Sequence, residues 1–203
     1  MSRRLLGTTI SVALLAVLVG VTVSEVNRTV SGLALPLSDE GVIREQAAEK
    51  HLDPALIAAV IDAETKFVPR QSSAGAEGLM QILPATAYFL AHLSGGSRFT
   101  ESDLATPRIN VAYGSYYLRY LLNHYGGNEM LAVAAYNAGP NRVDQWLQQN
   151  GDFRTGAPDV LDWIELIPFD ETRNYVERVT EGVEIYRAKE GVALAHPLQQ
   201  WLH

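Results

Sequence analysis

The sequence predicts a mainly α-helical domain behind an N-terminal apolar export segment. Apolar residues recur at helical spacing along most of the chain, and glycine-rich breaks at residues 95–96, 126–127 and 139–140 separate the segments. No stretch shows the alternation of apolar and polar residues that a half-buried strand requires. At the start of the chain an uncharged run follows two arginines, as in segments that direct export.

The N-terminal segment, residues 1–24, is predicted to be either a cleaved signal peptide or a signal anchor. Arg3 and Arg4 precede an uncharged run from Leu5 to Val23. This run is longer than the apolar core of most signal peptides and comes close to the roughly 20 apolar residues that a spanning helix needs. Ser24 offers only a weak cleavage site. If the segment is retained, both arginines stay on the cytoplasmic side of the inner membrane.

We predict a tether over residues 25–38, a helical domain over residues 39–190 and a C-terminal tail over residues 191–203. Early in the domain, Asp53 and Pro54 form the pattern of an N-cap followed by proline at the first helical position. Residues 150–159 are rich in glycine and proline and predict an exposed loop. Further helices are predicted over residues 84–93, 109–125, 129–136, 141–147 and 171–189.

The composition excludes several classes of function. Of the 203 residues, 47% are hydrophobic and 19% charged, which suits one ordinary globular domain. The net charge of −7 has the wrong sign for binding nucleic acid through its phosphates. The chain has no cysteine, so it forms no disulfide and has no thiolate metal site. The five histidines are scattered without ligand spacing, so we expect neither a metal nor another cofactor.

The helix with the predicted N-cap carries a carboxylate on its apolar face. That face passes through Ile57, Val60 and Ile61, and Glu64 is its next position. An ionised carboxylate in an apolar setting is costly, so such a group either finds a partner or keeps its proton near neutral pH. The second behaviour is that of a general acid. The alternative is that the helix ends near Phe67 and Glu64 turns to solvent.

A loop of small residues follows this helix. Residues 72–81 read Ser-Ser-Ala-Gly-Ala-Glu-Gly-Leu-Met-Gln, and small residues allow a polymer to approach the backbone closely. Gln81 can both donate and accept hydrogen bonds, and a sugar presents both kinds of group. Taken alone, the glycine spacing also fits a plain tight connection between two helices.

Several short motifs occur along the chain in a defined order. They are residues 64–67 (ETKF), 72–75 (SSAG), 78–81 (GLMQ) with 84–87 (PATA), 134–140 (AAYNAGP), and 167–169 (IPF) with 171–176 (ETRNYV). In these motifs and their order, the chain resembles the SLT-type (family 1) soluble lytic transglycosylases. The resemblance covers roughly residues 38–189.

The resemblance implies a goose-type lysozyme-like helical domain with a glycan-binding groove. It also implies cleavage of the β-1,4 bond between N-acetylmuramic acid and N-acetylglucosamine in peptidoglycan. The family's catalytic glutamate falls on Glu64, and Thr65 stands where the family more often has serine. For methionine and tyrosine in these motifs, core packing is the alternative role. The implied substrate-binding residues are Ser72, Gly78, Met80, Gln81, Tyr136, Asn137 and Tyr175.

The implied mechanism needs a single carboxyl group, whereas most glycosidases use two. Protonated Glu64 donates to the glycosidic oxygen, the muramyl N-acetyl group assists, and ionised Glu64 then takes the proton of the sugar's 6-hydroxyl. The products carry 1,6-anhydromuramyl ends, and no metal or cofactor takes part. Ile61, Met80 and nearby aromatic residues are expected to form a dry pocket that raises the pKa of Glu64. Glu171 is expected to cap its helix or to pair with Arg173.

Two alternatives accompany the transglycosylase interpretation: a lysozyme-type hydrolase on the same fold, and a glycan-binding or assembly protein that has lost catalysis. The intact Glu64, Gln81, Tyr136 and Tyr175 count against the second. The expected partner is the glycan strands of peptidoglycan; nucleic acid is not expected, and the sequence names no protein partner. The expected location is the periplasm or cell envelope, either soluble after signal cleavage or anchored in the inner membrane.

Overall fold

The mainly helical prediction is confirmed. A computed structural model describes residues 37–95, 99–156 and 158–195, and these ranges contain eight α-helices, two 3-10 helices and one hairpin of short strands. The 3-10 helices are Glu101–Ala105 and Phe153–Thr155, and the antiparallel strands are β1 (Arg70–Gln71) and β2 (Glu77–Gly78). The α-helices are α1 (Leu37–Lys50), α2 (Pro54–Thr65), α3 (Pro84–Ser94), α4 (Pro107–His124), α5 (Glu129–Ala138), α6 (Pro140–Asn150), α7 (Val160–Glu165) and α8 (Asp170–Ala195).

The predicted export segment, residues 1–24, lies outside the described residues. The same holds for residues 25–36 of the predicted tether and residues 196–203 of the predicted tail. Helical structure covers residues 37–38 of that tether and residues 191–195 of that tail. No helix in the described part of the chain is long and apolar enough to cross a membrane.

The short elements differ from the sequence prediction. No strand was predicted, yet β1 and β2 pair in register, Arg70 with Gly78 and Gln71 with Glu77. Two residues per strand are too few to show alternation. The second 3-10 helix lies inside the loop predicted over residues 150–159, and α7, which was not predicted, follows it. Because α7 has only six residues, less than two turns, it carries no periodic apolar pattern.

α2 is the central helix of the fold. Residues 55–61 are each at most 1% exposed, so α2 is covered on all sides rather than along one stripe. α8 packs along it at close range, because a Cβ on Gly182 would lie only 3.1 Å from the Cβ of Ala59. α5 packs against α4, α6 and α8 and contributes a further buried layer, residues 131–136. Because it is packed on all sides, α2 is a rigid support for the side chains at its two ends.

Both ends of α2 are tied to their surroundings. The predicted N-cap is confirmed, since the Asp53 carboxylate accepts a hydrogen bond from the Ala55 amide at 2.8 Å. The same carboxylate pairs with Arg187 of α8 at 2.6 Å. At the other end, Lys66 adopts the left-handed conformation with φ of 52°, and its amide donates to the Asp62 carbonyl. The helix therefore ends at Thr65.

α4 carries a glycine where it passes the loop of residues 72–81. Met80 is fully buried in this loop. A Cβ on Gly114 would lie 2.8 Å from the Cβ of Met80 and closer still to its sulfur. The absence of a side chain at Gly114 is thus what allows the loop to lie against α4.

We predict that Gly114→Ala destabilises the protein by about 1–3 kcal/mol, because the added methyl group overpacks against Met80. The matched control is Gly41→Ala in α1, where a Cβ meets nothing within 4 Å. That change should stabilise α1 by up to about 1 kcal/mol, since alanine has the higher helix propensity. Denaturant unfolding measures both. Wild-type stability in Gly114→Ala would contradict the packing described.

Candidate active site

Glu64 lies half-buried in the last turn of α2. The next residue, Thr65, is buried, and its hydroxyl is 2.8 Å from the Leu79 carbonyl and 3.2 Å from the Ile61 carbonyl. Arg70 donates to the backbone carbonyl of Glu64 at 2.7 Å. These bonds tie the helix end to the following hairpin and loop. Glu64 is therefore not a fully solvated residue on a frayed helix end.

Burial raises the pKa of the Glu64 carboxyl from 4.5 to about 7. The Tyr175 hydroxyl opposes this shift most strongly, because it can donate to the ionised carboxylate, and the charges of Arg70 and Arg178 also favour ionisation. The negative charge of Glu171 raises the pKa further. Since burial outweighs the opposing influences, the protonated form persists to much higher pH than in a solvated glutamate.

Two tyrosines lie close to Glu64, and both are buried. Burial, followed by the charge of Glu64, raises the pKa of Tyr136 and of Tyr175 well above the usual value. The Tyr136 hydroxyl donates to the Met80 carbonyl at 2.9 Å. The Tyr175 hydroxyl lies near enough to Glu64 to hold down its pKa, yet makes no hydrogen bond of ordinary geometry within the described residues. Tyr136 thus fixes the loop that contains Met80, and the Tyr175 hydroxyl is available to donate a hydrogen bond to Glu64 or to a ligand.

Asn110 of α4 holds the loop of residues 72–81 in place. Its side chain is fully buried and accepts a hydrogen bond from the Met80 amide at 2.8 Å. Through Nδ2 it donates to the carbonyls of Glu77 at 2.8 Å and Leu104 at 3.1 Å. Gly78 lies directly against it with φ of 76°, and any Cβ there would overlap the Asn110 amide. Asn110 and Gly78 together explain why the loop needs glycine at this point.

Asn110 was not among the residues predicted from the sequence. A signal was present, because Asn110 shares the buried face of α4 with Gly114, Leu118 and Leu121 at helical spacing. A polar residue on such a face is the same kind of irregularity that singled out Glu64. A buried amide must be hydrogen-bonded, so its position predicts a structural partner even where the partner cannot be named.

Two predicted substrate-binding residues of the loop also bond within the protein. The Ser72 oxygen accepts from the Ala76 amide at 3.0 Å, which closes the turn after β1. Gln81 donates through Nε2 to the carbonyls of Arg70 at 2.8 Å and Gly78 at 2.9 Å, and its backbone has φ of 48°. Both side chains are partly exposed. Each keeps a further polar group, the Ser72 hydroxyl hydrogen and the Gln81 Oε1, for a ligand.

Asn137 follows Tyr136 in α5 and lies beside a cavity of about 450 Å³. Its Oδ1 accepts from the Thr172 hydroxyl at 2.7 Å, which links α5 to the first turn of α8. Glu171 also lines this cavity. The remaining lining residues are Ala138, Arg142, Pro168, Phe169 and Asp170.

Of the two roles expected for Glu171, a helix cap or a pairing with Arg173, the pairing is wrong. Arg173 pairs instead with Asp170 and donates to the Ile167 carbonyl. Asp170 and Arg173 are three residues apart on α8, so their side chains lie on neighbouring positions of one helical face. Glu171 is exposed beside the cavity, where its charge reaches Glu64.

The structure therefore brings Glu64, Met80, Tyr136 and Tyr175 together, with Gly78 and Gln81 in the same loop as Met80. Ile61 and Met80 are fully buried, and burial is the main cause of the raised pKa of the Glu64 carboxyl. A carboxyl with a pKa of about 7 can both donate a proton and take one back near neutral pH. Ser72 lies instead in the turn after β1, and Asn137 lies beside the cavity next to α8.

The chain matches the family profile described as "Transglycosylase SLT domain" over residues 41–157. It is 33% identical over 154 residues to the soluble lytic murein transglycosylase of Escherichia coli K12, a match that covers 75% of this chain and 23% of that protein.

Two solved structures share the fold. The lytic transglycosylase Slt of Pseudomonas aeruginosa, solved as an inactive mutant, matches with a TM-score of 0.68 and 35% identity over 77% of this chain and 25% of that chain. The 70 kDa soluble lytic transglycosylase of Escherichia coli matches with a TM-score of 0.71 and 32% identity over the same shares of the two chains. This chain spans about a quarter of the length of these relatives. With more than half of its residues matched by the profile, the chain belongs to the family of the transglycosylase SLT domain.

Proposed function

We propose that this chain is a lytic transglycosylase. It cleaves the β-1,4 bond between N-acetylmuramic acid and N-acetylglucosamine in peptidoglycan and leaves 1,6-anhydromuramyl ends. The Glu64 carboxyl carries the proposal, because it is half-buried at the end of a rigid helix and has a pKa of about 7. The names of the relatives, and the inactive mutant of one in which a glutamate is replaced by glutamine, support it.

In the first half of the reaction Glu64 acts as the acid. Its proton passes to the glycosidic oxygen while the bond from that oxygen to the muramyl anomeric carbon breaks. The carbonyl oxygen of the muramyl N-acetyl group stabilises the positive charge that develops on this carbon. Glu64 becomes negative at the same time, and the Tyr175 hydroxyl and the charges of Arg70 and Arg178 favour that ionised state.

In the second half of the reaction Glu64 acts as the base. It removes the proton of the muramyl 6-hydroxyl, whose oxygen forms a bond to the anomeric carbon of the same sugar. Glu64 ends protonated, as it began, and no water enters the balance. The buried Ile61 and Met80 keep this side of the carboxyl dry, which favours attack by the sugar's own hydroxyl over attack by water.

The loop of residues 72–81 and Asn137 are proposed to hold the sugar next to the cleaved bond. Ser72 offers its hydroxyl hydrogen and Gln81 its Oε1, each while bonded to the loop backbone. Gly78 brings the backbone within reach of the sugar, and Met80 supplies an apolar surface. Side chains that already have protein partners are pre-organised, so little freedom is lost when the glycan binds.

The substrate places the proposed activity outside the cytoplasm. We propose that residues 1–24 direct export to the periplasm or cell envelope, followed either by signal cleavage or by retention in the inner membrane. The mechanism requires no metal or other cofactor, since Glu64 and the substrate supply every proton and bond that changes.

Glu64→Gln should lower the rate of release of anhydromuramyl fragments by about 10²–10⁴-fold, because the amide has the shape of the acid but no proton to transfer. Mass spectrometry of fragments released from purified peptidoglycan measures both the rate and the ends. The matched control is Asp62→Asn on the same helix, which should keep wild-type activity, since Asp62 pairs with Lys66 at the surface.

Full activity in a folded Glu64→Gln protein would overturn the role of Glu64. Reducing ends from the wild type, heavier by one water, would identify a hydrolase instead. Absence of any release by the wild type, with binding of glycan intact, would identify a binding protein.

Activity should fall as the pH rises through about 7, because the acid step needs the protonated form of Glu64. Tyr175→Phe removes the hydroxyl that most lowers this pKa, so the decline should move to higher pH. Initial rates across a pH series in the two proteins measure the shift. A decline at the same pH in both proteins would show that Tyr175 does not act on the Glu64 proton.

The raised pKa of Glu64 should also make the unfolding free energy of the protein depend on pH. The folded pKa of Glu64 lies above its unfolded value, so the folded state binds more protons between pH 4.5 and about 7. The unfolding free energy of the wild type should therefore fall across this range relative to that of Glu64→Gln. Denaturant unfolding at both ends of the range measures the difference, and parallel profiles would contradict the raised pKa.

A further inference from the structure

A row of aromatic rings leads away from the Glu64 site along α4 to α3. Tyr117 lies against Tyr136, with ring centroids 5.3 Å apart and the planes tilted by 48°. Tyr120 stacks nearly parallel to Tyr117 at 6.3 Å and 11°. Phe89 of α3 meets Tyr120 edge-on at 5.3 Å and 80°. We call Tyr117, Tyr120 and Phe89 the aromatic row.

The aromatic row becomes more exposed with distance from Glu64. Tyr136, which adjoins its inner end, is 9% exposed, Tyr117 and Tyr120 are half-buried, and Phe89 is 42% exposed. The core does not require a ring at Phe89. α3 buries a different face, made of Ala87, Leu90 and Ala91. Single exposed apolar residues are ordinary, but a connected row that starts at a candidate active site is not.

The chemistry of the row suits a sugar. A pyranose ring presents a flat face of C–H groups with hydroxyls at its rim, and a tyrosine ring offers an apolar face with a hydroxyl at one end. The chain has a net charge of −7, so long-range attraction does not draw it to an acidic polymer. Affinity for a glycan must then come from short-range contacts, namely hydrogen bonds and the stacking of rings on sugars.

We propose that the aromatic row binds sugars of the glycan strand that lie beyond the cleaved bond, so that the protein favours long strands over short ones. This inference rests on the proposed function, because the row is continuous with the site of Glu64 through Tyr136. The occupant is the glycan itself rather than a second copy of the chain.

A neighbouring cluster provides the matched control. Tyr88 is adjacent to Phe89 on α3 and is 52% exposed, but its ring meets Phe99 at 5.2 Å, and Phe99 in turn meets Tyr113 at 4.8 Å. Tyr88 therefore belongs to a separate group of rings. Replacing Tyr88 by alanine therefore removes a similar area of exposed aromatic surface and leaves the aromatic row intact.

The test measures the affinity of Glu64→Gln protein for purified glycan strands, tetrasaccharide to dodecasaccharide, by isothermal titration calorimetry. Phe89→Ala and Tyr120→Ala, each added to this background, should weaken binding of the long strands by about 3- to 10-fold, the usual worth of an aromatic contact. Binding of the tetrasaccharide should not change. Tyr120→Phe, which keeps the ring, should keep most of the affinity, and Tyr88→Ala should match the background at every length.

The proposal is overturned if the row variants bind long strands as tightly as Tyr88→Ala does, while the wild type still releases anhydromuramyl fragments. In that case the proposed function stands and the aromatic row has no part in it. If the Glu64→Gln protein binds no strand of any length and the wild type releases nothing, both proposals fail. A change of oligomeric state in Phe89→Ala, measured by sedimentation, would assign the row to contacts between copies and would also overturn it.

Discussion

The burial of α2 on every side is the constraint on which the candidate site depends. α8 and the other elements packed against α2 leave no free face on residues 55–61. α2 therefore cannot tilt or fray without opening the core. Its last turn holds Glu64 where water cannot fully solvate the carboxylate. Burial is the main cause of the raised pKa, so the acid is a product of the fold as a whole.

A second requirement is a loop that stays rigid although most of it is not in regular secondary structure. Three contacts from outside the loop meet this requirement: Asn110 from α4, Tyr136 from α5 and Thr65 from the end of α2. Because each contact satisfies a backbone group, the loop keeps its shape without a large core of its own. Gly78 and Gly114 complete the arrangement by leaving room for the Asn110 amide and the Met80 side chain.

The proposed chemistry asks one carboxyl group to give up a proton and then recover one. Burial favours the protonated form, while Tyr175, Arg70 and Arg178 favour the ionised form, and their balance lies near neutral pH. A much higher pKa would weaken the base, and a much lower one would leave little acid. Tyr136, which lies close to Glu64, also adjoins the aromatic row, so the surroundings of the acid are continuous with a surface suited to the rest of the strand.

The sequence by itself determined the helical class, the cap at Asp53, most helix positions and the choice of Glu64 as the candidate acid. These features are local, since each follows from residues within one or two turns of a helix. The tertiary structure alone decided what spans long separations, such as Asn110 reaching Met80 thirty positions away and Tyr136 reaching Met80 from α5. It also decided the short elements, since a two-residue strand or a six-residue helix is held by its neighbours rather than by its own pattern. The pKa of Glu64 belongs to this second group, because desolvation depends on every element packed around the carboxyl, which no single segment of sequence contains.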